Sequence, residues 1–213
     1  MNDDARAGPS HRYGHTALSS DSADVTGWVR QHAREHGFEL DESQNAAVAV
    51  LQGVYEDLIA LERLEASIIR LLARKPTVKG VYMWGGVGRG KSFLMDSFFN
   101  CAPVRRKKRI HFHRFMQEIH HGLNRHQGRE DPLSIIAREV AKETRLLCLD
   151  EFHVTDITDA MLMRRLLEGM LEQGVIIVTT SNQHPDGLYK DGLQRSQFLP
   201  AIELIKQNHH VVN

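Results

Sequence analysis

Apolar positions change their spacing once along the chain. Between Ser43 and Ala73 they recur at helical intervals: Val48, Leu51, Tyr55 and Leu58, then Leu61, Leu64, Ile68 and Leu72. That spacing puts one side chain per turn on a single face. Asp41 or Ser43 caps the start and Pro76 ends the pattern, which fits one long helix or two shorter ones. After Pro76 short apolar runs take over, at Val81–Trp84, Ile110–His113, Leu146–Leu149, Val175–Thr180 and His210–Val212. Helical patterns begin between them near Lys91, Arg114, Pro132, Ile157 and Pro200. Asp131 before Pro132 is a favourable helix start, and Gly174 a favourable stop. Strands alternating with helices predict an α/β fold, a mostly parallel sheet with helices on both faces. No internal repeat is visible. Residues 1 to about 27, rich in Ser, Asp, Gly and His, lack periodicity and read as a disordered arm. The chain thus divides into an arm (1–27), a helical segment (28–76) and an α/β core (77–213).

Composition narrows the class. A chain of 213 residues with 41% apolar content can bury one core. Lys+Arg and Asp+Glu balance at 27 each, so no global basic field points to nucleic acid or an anionic membrane. No apolar run approaches the ~20 residues needed to cross a bilayer. The start, MNDDARAGPSHRYGH, lacks an apolar leader core, and its early aspartates argue against a mitochondrial-type leader. Cys101 and Cys148 read as reduced thiols rather than a disulfide pair. The expectation is a soluble, cytoplasmic protein.

The chemistry is concentrated in GVYMWGGVGRGKSFLMDSFF, residues 80 to 99. Gly85, Gly90, Lys91 and Ser92 match G-x-x-x-x-G-K-[ST], a pattern that chance supplies in roughly one per cent of chains this long at ordinary glycine content. The loop follows an apolar strand and opens a helix carrying Phe93, Leu94, Phe98 and Phe99, which is the context the motif requires. Glycines let backbone N–H groups converge on phosphates without Cβ clashes, and the helix N-terminus adds partial positive charge. Lys91 reaches the β- and γ-phosphates, and the Ser92 hydroxyl is a ligand for Mg²⁺. About sixty residues on, RLLCLDEF ends a predicted strand with Asp150 and Glu151, at the edge where ligands sit in open α/β sheets. Asp150 would orient the Mg²⁺ shell, and Glu151 would polarise an attacking water. The strand GVIIVTTSN ends in Asn182, whose amide can hold the lytic water or touch the γ-phosphate. Arg195, after a Gly-containing loop, is either a solvated residue or an arginine finger reaching a neighbouring subunit.

Two features stand apart. The run Arg105 to Arg109, RRKKR, lies before a strand without aromatic partners and reads as a solvated loop rather than a nucleic-acid patch. Among thirteen histidines, His111 and His113 share a strand face, but no Cys or carboxylate completes a ligand set with them. His120 and His121 read as surface residues of a helix.

The blocks GVYMWGGVGRGKSFLMDSFF, RIHFHRFMQEIHHGL, RLLCLDEFHVTDITDAM, VTTSN and LYKDGLQRSQFLPAIELI resemble the ZapE-type cell-division ATPases of the AAA+ class, which have close mitochondrial relatives. The match covers about residue 28 onward. The resemblance implies a P-loop AAA+ core of strand order 5-1-4-3-2, active at a subunit interface, with ATP and Mg²⁺ as cofactors. By resemblance, Gly85, Gly86, Val87, Gly88, Arg89, Gly90, Lys91 and Ser92 form the Walker A loop, with Phe93 next to it in the nucleotide site. Asp150 and Glu151 are the Walker B pair, Asn182 is sensor 1 and Arg195 the finger. Gln44, in ELDESQNAAVAVL, is a candidate for base recognition. The resemblance also implies association with the division protein FtsZ at the constricting ring in bacteria. Family members continue past the fifth strand into a helical lid carrying sensor 2, whereas this chain stops at HHVVN. A lid-less site is expected to hold ATP less tightly.

The expectation is an ATP-hydrolysing, self-associating module acting on a protein client. The alternatives are an ATP-dependent binding switch or scaffold with little turnover and, motivated by the basic run, a nucleic-acid loader.

Overall fold

The computed structural model describes residues 24–66 and 77–213. The greater part of the expected arm lies outside the described residues, as do Ile68, Leu72 and the Pro76 stop of the long helical pattern.

The first two helices are set by their caps. α1 (Val25–His36) begins inside the last residues of the stretch read as an arm, because the Asp24 carboxylate accepts from the Gly27 N–H at 2.7 Å. Gly37, at φ 67°, ends it. α2 (Glu42–Ala66) follows Asp41, whose carboxylate accepts from the Gln44 N–H at 2.7 Å. Gln44 Oε1 in return accepts from the Asp41 N–H at 3.0 Å, so the two residues form a reciprocal capping box.

The core alternates as its pattern demands. β1 (Gly80–Trp84), α3 (Lys91–Cys101), β2 (Lys107–His111), α4 (Phe112–Arg125), α5 (Pro132–Glu143), β3 (Leu146–Asp150), α6 (Ile157–Glu172), β4 (Ile176–Ser181), α7 (Arg195–Asn208) and β5 (His209–Val212) follow in order. All strands are parallel, in the order β2-β3-β4-β1-β5, which is the implied 5-1-4-3-2 read from the other edge.

Side chains on successive strand residues point to opposite faces, and each face has its own core. Val81, Met83, Leu146, Cys148, Ile176 and Val178 pack with Val25 and Val29 of α1, Leu51 and Leu58 of α2, and Leu94, Met95 and Phe98 of α3. Tyr82, Leu147, Leu149 and Ile177 pack with Phe115 and Ile119 of α4, Ile136 of α5, Leu166 of α6 and Phe198 and Ile202 of α7. Burial on both faces is why the strands read as near-continuous apolar runs. No helix among the described residues is long and apolar enough to cross a membrane.

Two boundaries differ from expectation. β2 starts at Lys107, not Ile110, and α4 already begins at Phe112, so His113 lies on a helix and shares no strand face with His111. An edge strand can be polar where its cations find partners beyond the sheet, and an apolar-run search does not see it. α7 begins at Arg195 rather than Pro200. A proline there removes the helix bond to the Ser196 carbonyl, and that residue is exposed in the first turn, where water can replace it.

Only the start of the basic run is a solvated loop: Arg105 and Arg106 are exposed in a bend, whereas Lys107 to Arg109 belong to β2. Arg106 donates to the carbonyls of Ala141 and Lys142 at 3.0 and 2.7 Å, closing the end of α5. Lys107 donates to the Phe99, Asn100 and Ala102 carbonyls at the end of α3. Cations at helix C-termini meet both orphan carbonyls and the negative dipole end. Lys108 pairs with Glu118 of α4 at 2.5 Å.

At the other sheet edge, β1, β4 and β5 approach so closely that a Cβ on Gly80 would lie 1.8 Å from the Ile177 carbonyl oxygen and 2.9 Å from the His209 ring. His209 is buried, donates from Nδ1 to the Ile205 carbonyl at 2.9 Å, and has no hydrogen-bond partner for Nε2. Burial pushes its pKa down to about 4. The unfolded chain therefore takes up a proton that the folded chain refuses. The stability contributed by the neutral ring is complete above about pH 6.5, the ordinary His value, and is lost as pH falls toward about 4. Urea midpoints measured across this window should fall with pH, and His209→Gln should remove about one proton from that dependence.

Candidate active site

The phosphate loop is built by backbone first. Gly85, Gly88 and Gly90 take φ of 145°, 79° and 79°, which side chains with a Cβ rarely adopt. α3 starts with Gly90 as its cap, without a side-chain cap bond and without an acid in its first turn. Helices α1, α5 and α6, by contrast, open on Asp24, Asp131 and Asp156, whose carboxylates accept first-turn N–H groups. An uncapped N-terminus with glycines before it is a ready anion site. Gly86, Val87, Gly88 and Arg89 are exposed, and Val87 projects fully.

Lys91 is folded back on the loop. Its ammonium donates to the Gly85 and Gly86 carbonyls at 2.7 Å each and to Asn182 Oδ1 at 3.2 Å. Burial, and next the charge of Arg89, lower its pKa. These acceptors occupy the donors that phosphate oxygens would take, and an anion would relieve the charge penalty. The contact brings Lys91 and Asn182 together across 91 positions of sequence.

The acidic pair is held by the two neighbouring strands. Asp150 ends β3 with a relative exposure of 6%. Its Oδ2 accepts from Arg109 Nε at 2.6 Å, and Arg109 also pairs with Asp96 of α3. Thr180 of β4 donates to Asp150 Oδ1 at 3.4 Å and accepts from the Glu151 N–H at 3.0 Å. The Phe152 N–H donates to the Thr180 carbonyl at 2.7 Å, and the Ser181 hydroxyl to the Phe152 carbonyl at 2.8 Å. Together these bonds fasten the turn after β3 to the end of β4. Glu151 sits at φ 57°, a left-handed value uncommon for a residue with a Cβ. Its carboxylate is exposed and lies 3.6 Å from His111 Nδ1. Asp150 and the exposed Ser92 offer hard oxygen donors of the kind Mg²⁺ prefers.

The remaining candidates sit differently. Gln44, besides its cap bond, donates from Nε2 to the Arg89 carbonyl at 3.2 Å, tying α2 to the loop. With Ala47, Met83, Trp84 and Leu94 it lines a shallow recess beside Lys91. Phe93 packs its ring against Trp28 and Phe38. Arg195 opens α7 and donates to the Asp186 carbonyl at 2.7 Å, nine residues back, rather than to any group of the loop. Its Nε is buried without a partner.

Sequence reasoning missed Arg109, Asp96 and His111. Arg109 was hidden in a run of like residues. The available signal was β pairing: His111 stands opposite Asp150 and Arg109 opposite Cys148, which requires knowing that β2 neighbours β3. A larger hollow between α6 and α7 has Arg164, Glu168 and Glu203 among its lining residues, with Arg164 paired to Glu168 at 2.9 Å.

With this geometry in view, known proteins supply a context. The AFG1-like ATPase family model matches residues 25–213. Cell division protein ZapE of Escherichia coli (strain K12) is 46% identical over 191 residues, which cover 84% of this chain and 51% of that protein. Lactation elevated protein 1 homolog B of Danio rerio is 43% identical over 146 residues, 63% of this chain and 29% of that one. The chain spans about half the length of the bacterial relative. Among solved structures, DnaI superposes with a TM-score of 0.54 at 17% identity, covering 81% of this chain and 85% of that one. AMPPCP-bound DnaA from Aquifex aeolicus gives 0.53 at 17%, covering 93% and 52%. At such identity the likeness is one of fold, a P-loop AAA+ core.

A carboxylate as buried as Asp150 needs its counter-charge. Arg109→Leu should cost about 3–5 kcal/mol by urea denaturation, the expected price of an orphaned buried charge. Adding Asp150→Asn to that variant should recover much of the loss. No recovery would mean that Arg109 contributes something other than this ion pair.

Proposed function

The chain belongs to the AFG1-like ATPase family, and on that premise we propose that it binds ATP with Mg²⁺ and hydrolyses it. The observation that carries the reading is the meeting of three separate segments at the C-terminal edge of the sheet. The glycine loop with Lys91, the strand-end Asp150 and Glu151, and Asn182 arrive there from β1, β3 and β4.

In this reading the loop N–H groups and Lys91 receive the β- and γ-phosphates, with Lys91 exchanging its carbonyl acceptors for phosphate oxygens. Ser92 and Asp150 would hold Mg²⁺, which supplies charge neutralisation on the phosphate oxygens when bound. Glu151 accepts a proton from the attacking water. Asn182, already on Lys91, orients the γ-phosphate or that water. Phe93 and the recess beside Gln44 receive the base. Arg195 acts on the nucleotide of a second copy of the chain, consistent with its bond away from its own loop. Self-association then completes each site. The client is a protein, and FtsZ is the partner carried over from the sequence resemblance, in a cytoplasmic setting at the division site. The loader alternative loses its motive, because four cations of the basic run are engaged within the fold.

Phosphate release and binding of a fluorescent ATP analogue test this. Lys91→Ala should lose both. Glu151→Gln should keep binding while turnover falls by about 10²–10⁴-fold, the usual contribution of a general base. Arg195→Ala should bind ATP normally but lose the rise of specific activity with protein concentration. A chain that releases no phosphate with Mg²⁺, and whose analogue binding is unchanged by Lys91→Ala, would sink the proposal.

A further inference from the structure

One half-buried face of α1 carries donors that the nucleotide site does not use. Trp28, His32 and His36 are spaced by four and stack along one face. Ring centroids are 4.9 Å apart for Trp28 and His32 and 4.0 Å for His32 and His36. Phe93 of α3 lies against His32 at 5.1 Å. Glu35 falls three residues after His32, on the same side. One ligand atom each from His32, Glu35 and His36 lies within 4.8 Å of the others, the only such trio of His, Cys or carboxylate residues found among the described residues.

The hydrogen bonds around the trio prepare it. A backbone carbonyl can only accept, so His36 Nδ1, 3.0 Å from the His32 carbonyl, carries the proton and leaves the Nε2 lone pair outward. Metal-binding imidazoles are fixed in this way, with the non-ligating nitrogen bonded to a carbonyl or carboxylate. Gln31 Nε2 donates to Glu35 Oε1 at 2.9 Å and steadies that carboxylate. Burial, and next the neighbouring His36, lower the pKa of His32.

We propose that His32, Glu35 and His36 bind a divalent ion of the zinc class, with a fourth position open to solvent. Two imidazoles and one carboxylate are a zinc donor set, whereas Mg²⁺ and Ca²⁺ require mostly oxygen. Bonds of about 2 Å in a tetrahedral site bring ligand atoms to about 3.3 Å from one another. Glu35 and His36 are exposed, so binding turns the His36 ring out of its stack on His32 to aim its lone pair at the ion. All three ligands belong to one helix, so the ion would staple the last turns of α1 where they rest on Phe93. The sequence reading found no completed ligand set because it weighed the histidine pairs of the core and passed over HAREH.

Calorimetric titration of the whole chain with ZnCl₂, without nucleotide, tests the site independently of ATP hydrolysis. One ion should bind per chain, with excess Mg²⁺ failing to compete. Loss of even an outer partner of a metal ligand costs about 10–100-fold, so His36→Ala should weaken binding at least about tenfold and Glu35→Gln measurably. Both positions are exposed, and an unchanged far-UV spectrum would show that the variants fold. His121→Ala, another exposed histidine change, should leave binding unaltered. Equal zinc affinity in the parent and His36→Ala, or the absence of one-to-one binding, overturns the proposal.

Discussion

A carboxylate buried at the end of a parallel strand must either find a cation or lose its charge, and the Arg109–Asp150 pair meets that requirement. Arg109 reaches Asp150 from the edge strand and Asp96 from α3, so one guanidinium joins β2, β3 and the helix that begins at the phosphate loop. Burial alone would disfavour the charge on Arg109, and the two carboxylates outweigh it and raise its pKa. The pair also places the strand-end acid at the sheet edge where Lys91 and Asn182 meet. Without that counter-charge, the buried Asp150 carboxylate would carry an uncompensated desolvation penalty.

The same economy explains the basic run. Arg106 and Lys107 close the ends of α5 and α3, Lys108 pairs with α4, and Arg109 serves Asp150. A strand at the edge of a sheet exposes one row of backbone groups, and charged residues there discourage pairing with another sheet. Here the charges also bind three helices to the edge. Their crowding in sequence looks like an electrostatic patch for a polyanion, but their side chains leave in different directions to different partners.

Much of the fold was legible. Four of the five strands fall where the apolar runs lie, because burial on both faces of the sheet requires such runs. The exception, β2, owes its strand character to pairing with β3 and its polarity to cations satisfied elsewhere. The start of α7 was misplaced at Pro200 because proline is a first-turn signal, although the exposed turn before it tolerates the missing bond. The glycine loop was the clearest feature, since positive φ at Gly88 and Gly90 leaves a chemical mark in the sequence. Gln44 was visible as a residue beside the loop, but not as half of a capping box that also holds the Arg89 carbonyl.

The sequence by itself determined the alternation of strand and helix, the glycine loop and the identity of the strand-end acids. Each of these depends on local spacing or on backbone conformations open to few residue types. Tertiary structure alone decided that Thr180 clasps Asp150 to Glu151, that His111 faces Glu151, and that Arg109 neutralises Asp150. It also decided that His32 of α1 stacks on Phe93 of α3. These contacts join residues tens of positions apart across neighbouring strands and helices. Their partners are chosen by strand order and register, and no window of sequence contains that information.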